Sequence, residues 1–319
     1  MRNILGVLLL VGALLLFTGC LLVPEKNLPA TLPPTELADS DSQFLEVRDL
    51  QLHYKKQGEG EPFFLLLHGF GASVYSWREM MVPLSAKGSV IAYDRPAFGL
   101  TERPLEWQEW NPYSSSAQVD IALELLNVYG AKKAILVGNS AGGTLAAQIA
   151  LQEPERVEAL VLVSPAIYET RSRSRWLTHL LRLPFVEYFG LRFLRANFPK
   201  AGERVQEAWH DKTKFKPEFR AGYELPLRAE NWDIGLWNFM LASESKGNLV
   251  DGLKQSQVPT LILSGDDDRI VPTASSVRLA GEIDAKLHLL KACGHLPQEE
   301  CPNQLLETLN AFLANLPSR

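Results

Sequence analysis

The sequence predicts an α/β fold: a mostly parallel central sheet flanked by helices, with a helical insertion set into its later half. Three observations carry this. Continuous apolar runs of strand length recur along the chain, helix-period stretches lie between most of them, and one connection is far too long to be a loop.

Residues 44–47 and 50–54 alternate apolar and polar side chains, as antiparallel strands near a sheet edge do. Residues 62–67 are apolar without a break, which suits a strand buried on both faces. The same pattern returns at 90–93, 134–137, 160–163 and 260–263. Helical stretches lie between most of these segments; 114–129, for example, places Val119, Ile121, Leu123, Leu125 and Leu126 at helical spacing. About ninety residues separate the run ending at Val163 from the one beginning near Pro259, well beyond an ordinary connection. That stretch, 169–257, holds Trp176, Phe185, Tyr188, Phe189, Phe193, Phe198, Trp209, Trp232, Trp237 and Phe239 in helix-like surroundings. It is expected to be a helical cap over the carboxyl ends of the strands; the alternative is a subdomain with its own core. The fold proper is then 43–168 together with 258–319.

The chain opens differently. Met1, Arg2 and Asn3 precede an uncharged apolar run, 4–23, which reads as an address rather than as part of the fold. Within it Leu16, Phe17, Thr18, Gly19 and Cys20 resemble the lipobox of bacterial lipoproteins, which nominates Cys20 for lipidation. Phe17 departs from the usual leucine, and Leu21, Leu22 and Val23 prolong the run to bilayer-spanning length, so an uncleaved anchor is the competing reading. With Arg2 on the cytoplasmic side, both readings hold the folded domain to the far face of a membrane through its N-terminus. Residues 24–42, with Pro24, Pro29, Pro33 and Pro34 and no hydrophobic period, are expected to form an extended, poorly ordered tether.

A formal charge of −5 over 319 residues lacks the basic excess of a nucleic-acid-binding protein. The three cysteines, Cys20, Cys293 and Cys301, have no metal-ligand spacing. Cys293 and Cys301 are expected as packed thiols, although export would permit a bond between them. No cofactor or metal is expected, and oligomeric state is not encoded in any visible pattern.

The chemistry is concentrated in three loops. Gly138, Asn139, Ser140, Ala141, Gly142 and Gly143 follow the apolar strand 134–137 and precede a helical stretch, the context in which a G-x-S-x-G pattern is a nucleophile elbow. Ser140 would occupy a strained turn, and Cβ atoms two residues to either side would collide with neighbouring chain, so glycines stand at 138 and 142. A serine needs a base, and the base a third group to orient it. After the last long apolar strand come Asp266, Asp267 and Asp268, then Val271 and Pro272; further on His295 follows Gly294.

With the order serine, acid, histidine, the chain from about Phe44 to Leu316 resembles the α/β-hydrolase superfamily. The resemblance implies Ser140 as nucleophile, His295 as base and Asp268 as the acid, since the family's acid precedes a short apolar segment ending in Val-Pro. A shift of one residue would give that role to Asp267. It implies an oxyanion hole from the backbone N–H groups of Ala141, next after the nucleophile, and Phe70, in the His68-Gly69-Phe70-Gly71 turn. Asp94 and Arg95 match a family turn in which the pair braces a loop. Serine at 140 argues against the superfamily's carboxylate-nucleophile members. The expected reaction is hydrolysis of a carboxylic ester with an apolar acyl or aryl part through an acyl-enzyme. Carbon–carbon bond hydrolysis, perhydrolysis and a weakly catalytic ligand-binding protein share the same motifs. Arg171, Arg173 and Arg175 are expected on a solvated cap entrance, with contact to anionic headgroups as the alternative.

Overall fold

The computed structural model describes residues 31–168, 175–242 and 249–316. Eight strands form one sheet: β1 (Gln43–Val47), β2 (Leu50–Gln57), β3 (Phe63–Leu67), β4 (Ser89–Tyr93), β5 (Ala134–Asn139), β6 (Val157–Val163), β7 (Thr260–Gly265) and β8 (Lys286–Leu290). Their spatial order is β1-β2-β4-β3-β5-β6-β7-β8. β2 runs antiparallel to both β1 and β4, and all the later pairings are parallel.

The period of two along each buried strand divides the core between the sheet's faces. Leu65, Leu67, Ile91, Leu136, Leu160 and Ile262 face one side, with Leu125 of helix Ser115–Val128, Ile149 of helix Ala141–Gln152 and Leu279 of helix Thr273–Ile283. Phe64, Leu66, Val90, Val137, Val161 and Leu263 face the other, with Met80 and Leu84 of helix Arg78–Ser85 and Leu305 and Leu309 of helix Pro302–Leu313. Strands covered on both faces are why the sequence shows unbroken apolar runs. β8 is the exception. Only its last residue, Leu290, is buried, and Lys286 and His288 interrupt the pattern as suits an edge strand, so no apolar run announces it.

The expected insertion holds helices Arg175–Leu181, Pro184–Asn197, Ala201–Glu207, Pro217–Glu224 and Trp232–Ala242 between β6 and β7. It has no closed core of its own among the described residues. Leu194, Trp232, Leu236 and Trp237 pack with Phe98 and Tyr113 from the loops after β4, and Ala208, Trp209 and Phe215 pack with Leu296. Helix Leu249–Gln255, at the end of the same stretch, instead sends Leu249 and Leu253 into the main core.

Two expectations need correction. Residues 31–42, read as a poorly ordered tether, are seated on the domain. The Leu32 N–H donates to the Arg228 carbonyl and the Leu32 carbonyl accepts from the Glu230 N–H, a short bridge onto the insertion. Asp39 and Asp41 both reach Lys55, and Ser42 Oγ lies 2.8 Å from His53 Nε2. Backbone pairing and scattered acids leave no hydrophobic period, which is why the sequence conceals this attachment. Cys293 and Cys301, expected as packed thiols, are joined in a disulfide, because the turn between them brings both sulfurs into one buried corner. Residues 1–30, including the apolar run and Cys20, lie outside the described residues. Among the described residues no helix is long and apolar enough to cross a membrane.

A chain beginning at residue 43 should therefore unfold more readily than one beginning at residue 31. It loses the hydroxyl that partners buried His53 and two carboxylates on Lys55, together about 1–3 kcal/mol. Parallel urea titrations measure the difference, and coincident midpoints would show that residues 31–42 contribute no stability.

Candidate active site

Ser140 joins β5 to helix Ala141–Gln152 with φ of 53° and ψ of −119°, a backbone conformation that L residues rarely adopt. The turn is closed by the Ser140 carbonyl accepting from the Gly143 and Thr144 N–H groups, and by the Ser140 N–H donating to the Val163 carbonyl. A Cβ at 138 would press into the backbone of Gly142, and one at 142 into the Leu67 carbonyl at the end of β3. Only glycine lets the helix start so close behind the sheet.

That closeness brings the loop after β3 to the serine. A Cβ built on Gly69 would sit 3.2 Å from the Ser140 Cβ. The N–H groups of Phe70 and Ala141 have no protein acceptor among the described residues, and Phe70, Ala72, Ser140 and His295 line one cavity. Two unspent backbone donors beside a serine are what a developing oxyanion requires. The loop is held from below by a residue the sequence left without a role. His68 is buried, accepts from the Arg95 N–H at Nε2 (2.9 Å), and so must donate from Nδ1 to the Gly69 carbonyl (2.8 Å). Burial, reinforced by the Arg95 guanidinium, lowers its pKa from 6.5 to about 4. Arg95 Nη1 also donates to the His68 carbonyl, and the Asp94 carboxylate accepts from the Val74 and Leu100 N–H groups, the bracing expected of that pair.

Asp268 and His295 come together from the loops after β7 and β8. His295 Nδ1 lies 2.8 Å from Asp268 Oδ2, and Asp268 Oδ1 accepts from the Ile270 and Val271 N–H groups. Since an ionised carboxylate can only accept, Nδ1 carries a proton, and Nε2 is the ring nitrogen left free of Asp268; His295 and Ser140 line the same cavity. The neighbouring acids are engaged elsewhere. Asp266 accepts from the Cys293 N–H, and Asp267 pairs with His210 and Arg269 at the surface. Three further contacts fix the histidine loop: Asn139 Nδ2 donates to the His295 carbonyl, the His295 N–H donates to Ala208 of the insertion, and Glu300 accepts from the Gly294 N–H. The Cys293–Cys301 disulfide spans the same loop. Glu300 lies beside both sulfurs, but cysteines bonded to one another offer no thiolate for a metal.

The cavity has a volume of about 270 Å³. The insertion closes one side with Phe198, Val205, Ala208 and Tyr223, and the core supplies Phe70, Ile270 and Leu296. Tyr223 is anchored through its hydroxyl to Glu299, which also takes Arg78 Nη1 at 2.8 Å. Burial pushes the Glu299 carboxyl up against the pull of Arg78, and burial beside Glu299 keeps the Tyr223 hydroxyl protonated. None of this clamp was visible in sequence, because Glu299 lies 76 residues from Tyr223 and 221 from Arg78. Arg204, on the rim, is exposed and has no ion-pair partner among the described residues. Arg171 and Arg173 lie outside the described residues, as do the side chains of Arg175 and Trp176.

A second Ser–His–Asp series exists. His53 bridges Ser42 (2.8 Å) and Asp94 (2.6 Å). Its serine, however, gives its own proton to Asp39 at 2.6 Å and lines none of the described cavities. That series bolts residues 31–42 to β2.

The sequence profile of the family described as the alpha/beta hydrolase fold matches residues 62–302, and the chain belongs to that family. It is an enzyme of the hydrolase class. It is 30% identical over 267 residues to the uncharacterized hydrolase YugF of Bacillus subtilis, covering 82% of this chain and 92% of that one. It is likewise 30% identical over 272 residues to the 2-hydroxymuconate semialdehyde hydrolase of a Pseudomonas species, covering 81% and 88%. Among solved structures, the meta-cleavage product hydrolase of Pseudomonas fluorescens superposes with a TM-score of 0.68 at 25% identity, covering 86% of this chain and 98% of that one.

The His68 environment makes a testable demand. The unfolded chain takes up a proton near pH 6.5 and the folded chain only near pH 4, so stability should fall as pH drops through that window. The loss should reach about 3 kcal/mol by pH 4. In His68→Gln, which keeps one donor and one acceptor, this part of the pH dependence should vanish from chemical denaturation midpoints. An unchanged profile would mean that His68 titrates normally.

Proposed function

We propose that this chain hydrolyses a small carbonyl compound with Ser140 as nucleophile, and that the bond cut is a carbon–carbon bond beside a ketone or aldehyde. Ser140 Oγ attacks the carbonyl carbon while His295 Nε2 takes its proton and Asp268 stabilises the imidazolium. The Phe70 and Ala141 N–H groups receive the oxyanion. With the dienol first converted to its keto tautomer, the 2-hydroxyl proton moving to the carbon beside the carbonyl, collapse expels that carbon with its electron pair, delocalised as a conjugated enolate, and His295 returns the proton to that fragment. Water, activated by the same histidine, then releases the acyl group from Ser140.

The single observation behind the choice of bond is the likeness to the 2-hydroxymuconate semialdehyde hydrolase. The compound in that name has a carboxylate and an aldehyde but no ester, so its hydrolysis must break a carbon–carbon bond. Arg204, which has no ion-pair partner among the described residues and is the one Lys or Arg lining the cavity, suits a substrate with one carboxylate end. A carboxylic ester is the second reading, favoured by the walls that Phe70, Phe198, Val205, Ile270 and Leu296 give an acyl chain. An exported, membrane-held position is part of the proposal. It rests on the apolar run 4–23, and the Cys293–Cys301 disulfide supports it, since such bonds persist in oxidising compartments.

The purified protein should turn over a 2-hydroxy-6-oxo-2,4-dienoate with a kcat/KM well above that for p-nitrophenyl butyrate. The reverse order would transfer the assignment to esters. Ser140→Ala should lower kcat on either substrate on the order of 10⁴- to 10⁶-fold. A folded variant that keeps a tenth of the activity would remove Ser140 from the mechanism. Arg204→Gln should raise KM for the dienoate and leave the uncharged ester unaffected; equal effects on both would deny Arg204 the carboxylate.

A further inference from the structure

Helix Pro184–Asn197 is apolar on two sides. Leu194 points into the cluster with Phe98 and Trp232, but Phe185, Tyr188 and Phe193 are 59%, 53% and 64% exposed. At 100° per residue these three fall within an arc of about 140° opposite Leu194. Leu180 and Leu183, just before this helix, are exposed as well. Half-buried Phe189 lies within the same arc and half-buried Arg192 interrupts it, so the exposed rings make an apolar face crossed by one arginine, the kind of surface that marks an interaction site.

Charge indicates what that partner is. Between Thr170 and Lys200 the sequence carries seven Lys or Arg and one acid, Glu187, in a chain whose formal charge is −5. Arg182 and Lys200, at either end of the apolar face, are exposed. Large rings on one face with basic residues among and around them is the composition of segments that lie in a lipid headgroup region. The position also fits. Phe198, next after the helix, lines the catalytic cavity together with Phe70 and Ile270, each 49% exposed at the rim.

We propose that the outer face of helix Pro184–Asn197, with Leu180 and Leu183, docks on an anionic lipid surface and holds the cavity mouth against it. This contact is separate from the apolar run at the N-terminus and does not depend on which bond the enzyme cuts. A substrate dissolved in the lipid would then reach Ser140 without crossing bulk water.

Photocrosslinking on the full chain tests this. p-Benzoylphenylalanine is placed at position 185 or 193 and, as control, at exposed position 277 on helix Thr273–Ile283. The proteins are bound to phosphatidylcholine vesicles containing phosphatidylglycerol, irradiated and analysed by mass spectrometry. Phospholipid adducts should form several-fold more at 185 and 193 than at 277, whatever the N-terminus contributes. The charge reversals Arg182→Glu and Lys200→Glu together should lower that yield several-fold. Adducts no more frequent than at 277, or a yield indifferent to charge reversal, would overturn the proposal. So would crosslinks to a second copy of the chain or to residues 1–23, which would assign the face to those partners.

Discussion

The site depends on one backbone constraint, the positive-φ turn at Ser140. For the chain to leave β5 through that turn and start a helix at once, the helix must press against the end of β3, and the carbonyl of Leu67 occupies the space a Cβ on Gly142 would need. The same proximity sets the loop after β3 beside the serine and leaves the N–H groups of Phe70 and Ala141 without protein acceptors among the described residues. Strain in the turn and readiness for an oxyanion are thus consequences of a single packing contact. His68 and Arg95 secure that contact from the opposite side, which explains a neutral, buried histidine two residues before Phe70.

The two Ser–His–Asp series separate hydrogen bonding from reactivity. Both histidines have a carboxylate at one ring nitrogen, and the distances are similar. At Ser42 the hydroxyl proton is committed to Asp39, whereas Ser140 opens on a cavity with two unspent donors. The insertion completes that distinction. It supplies one wall of the cavity, and through the Ala208 carbonyl it also accepts a hydrogen bond from the backbone N–H of His295. Tyr223 on Glu299 and Arg78 ties the opposite side of the cap to the core.

The sequence made the parallel strands legible because burial on both faces leaves unbroken apolar runs, and it made the elbow legible because steric exclusion leaves glycines. Asp268 was distinguishable from Asp266 and Asp267 only by the Val-Pro that follows it; in the structure Ile270 and Val271, just before that proline, provide the two N–H groups its carboxylate accepts from. What stayed hidden depends on contacts without a period. β8 has a single buried residue, residues 31–42 attach by backbone pairing and ion pairs, and the Cys293–Cys301 bond depends on how one turn folds. The choice between carbon–carbon and ester hydrolysis is also illegible in the motifs, because both reactions use the same nucleophile, base and donors.

The most direct measurement is the site of covalent capture. Treatment of the full chain with a fluorophosphonate, followed by peptide mass spectrometry, should give one adduct, on the peptide containing Ser140, and labelling should disappear in His295→Ala. Modification of Ser42, or undiminished labelling of Ser140 without His295, would contradict the mechanism proposed for this cavity.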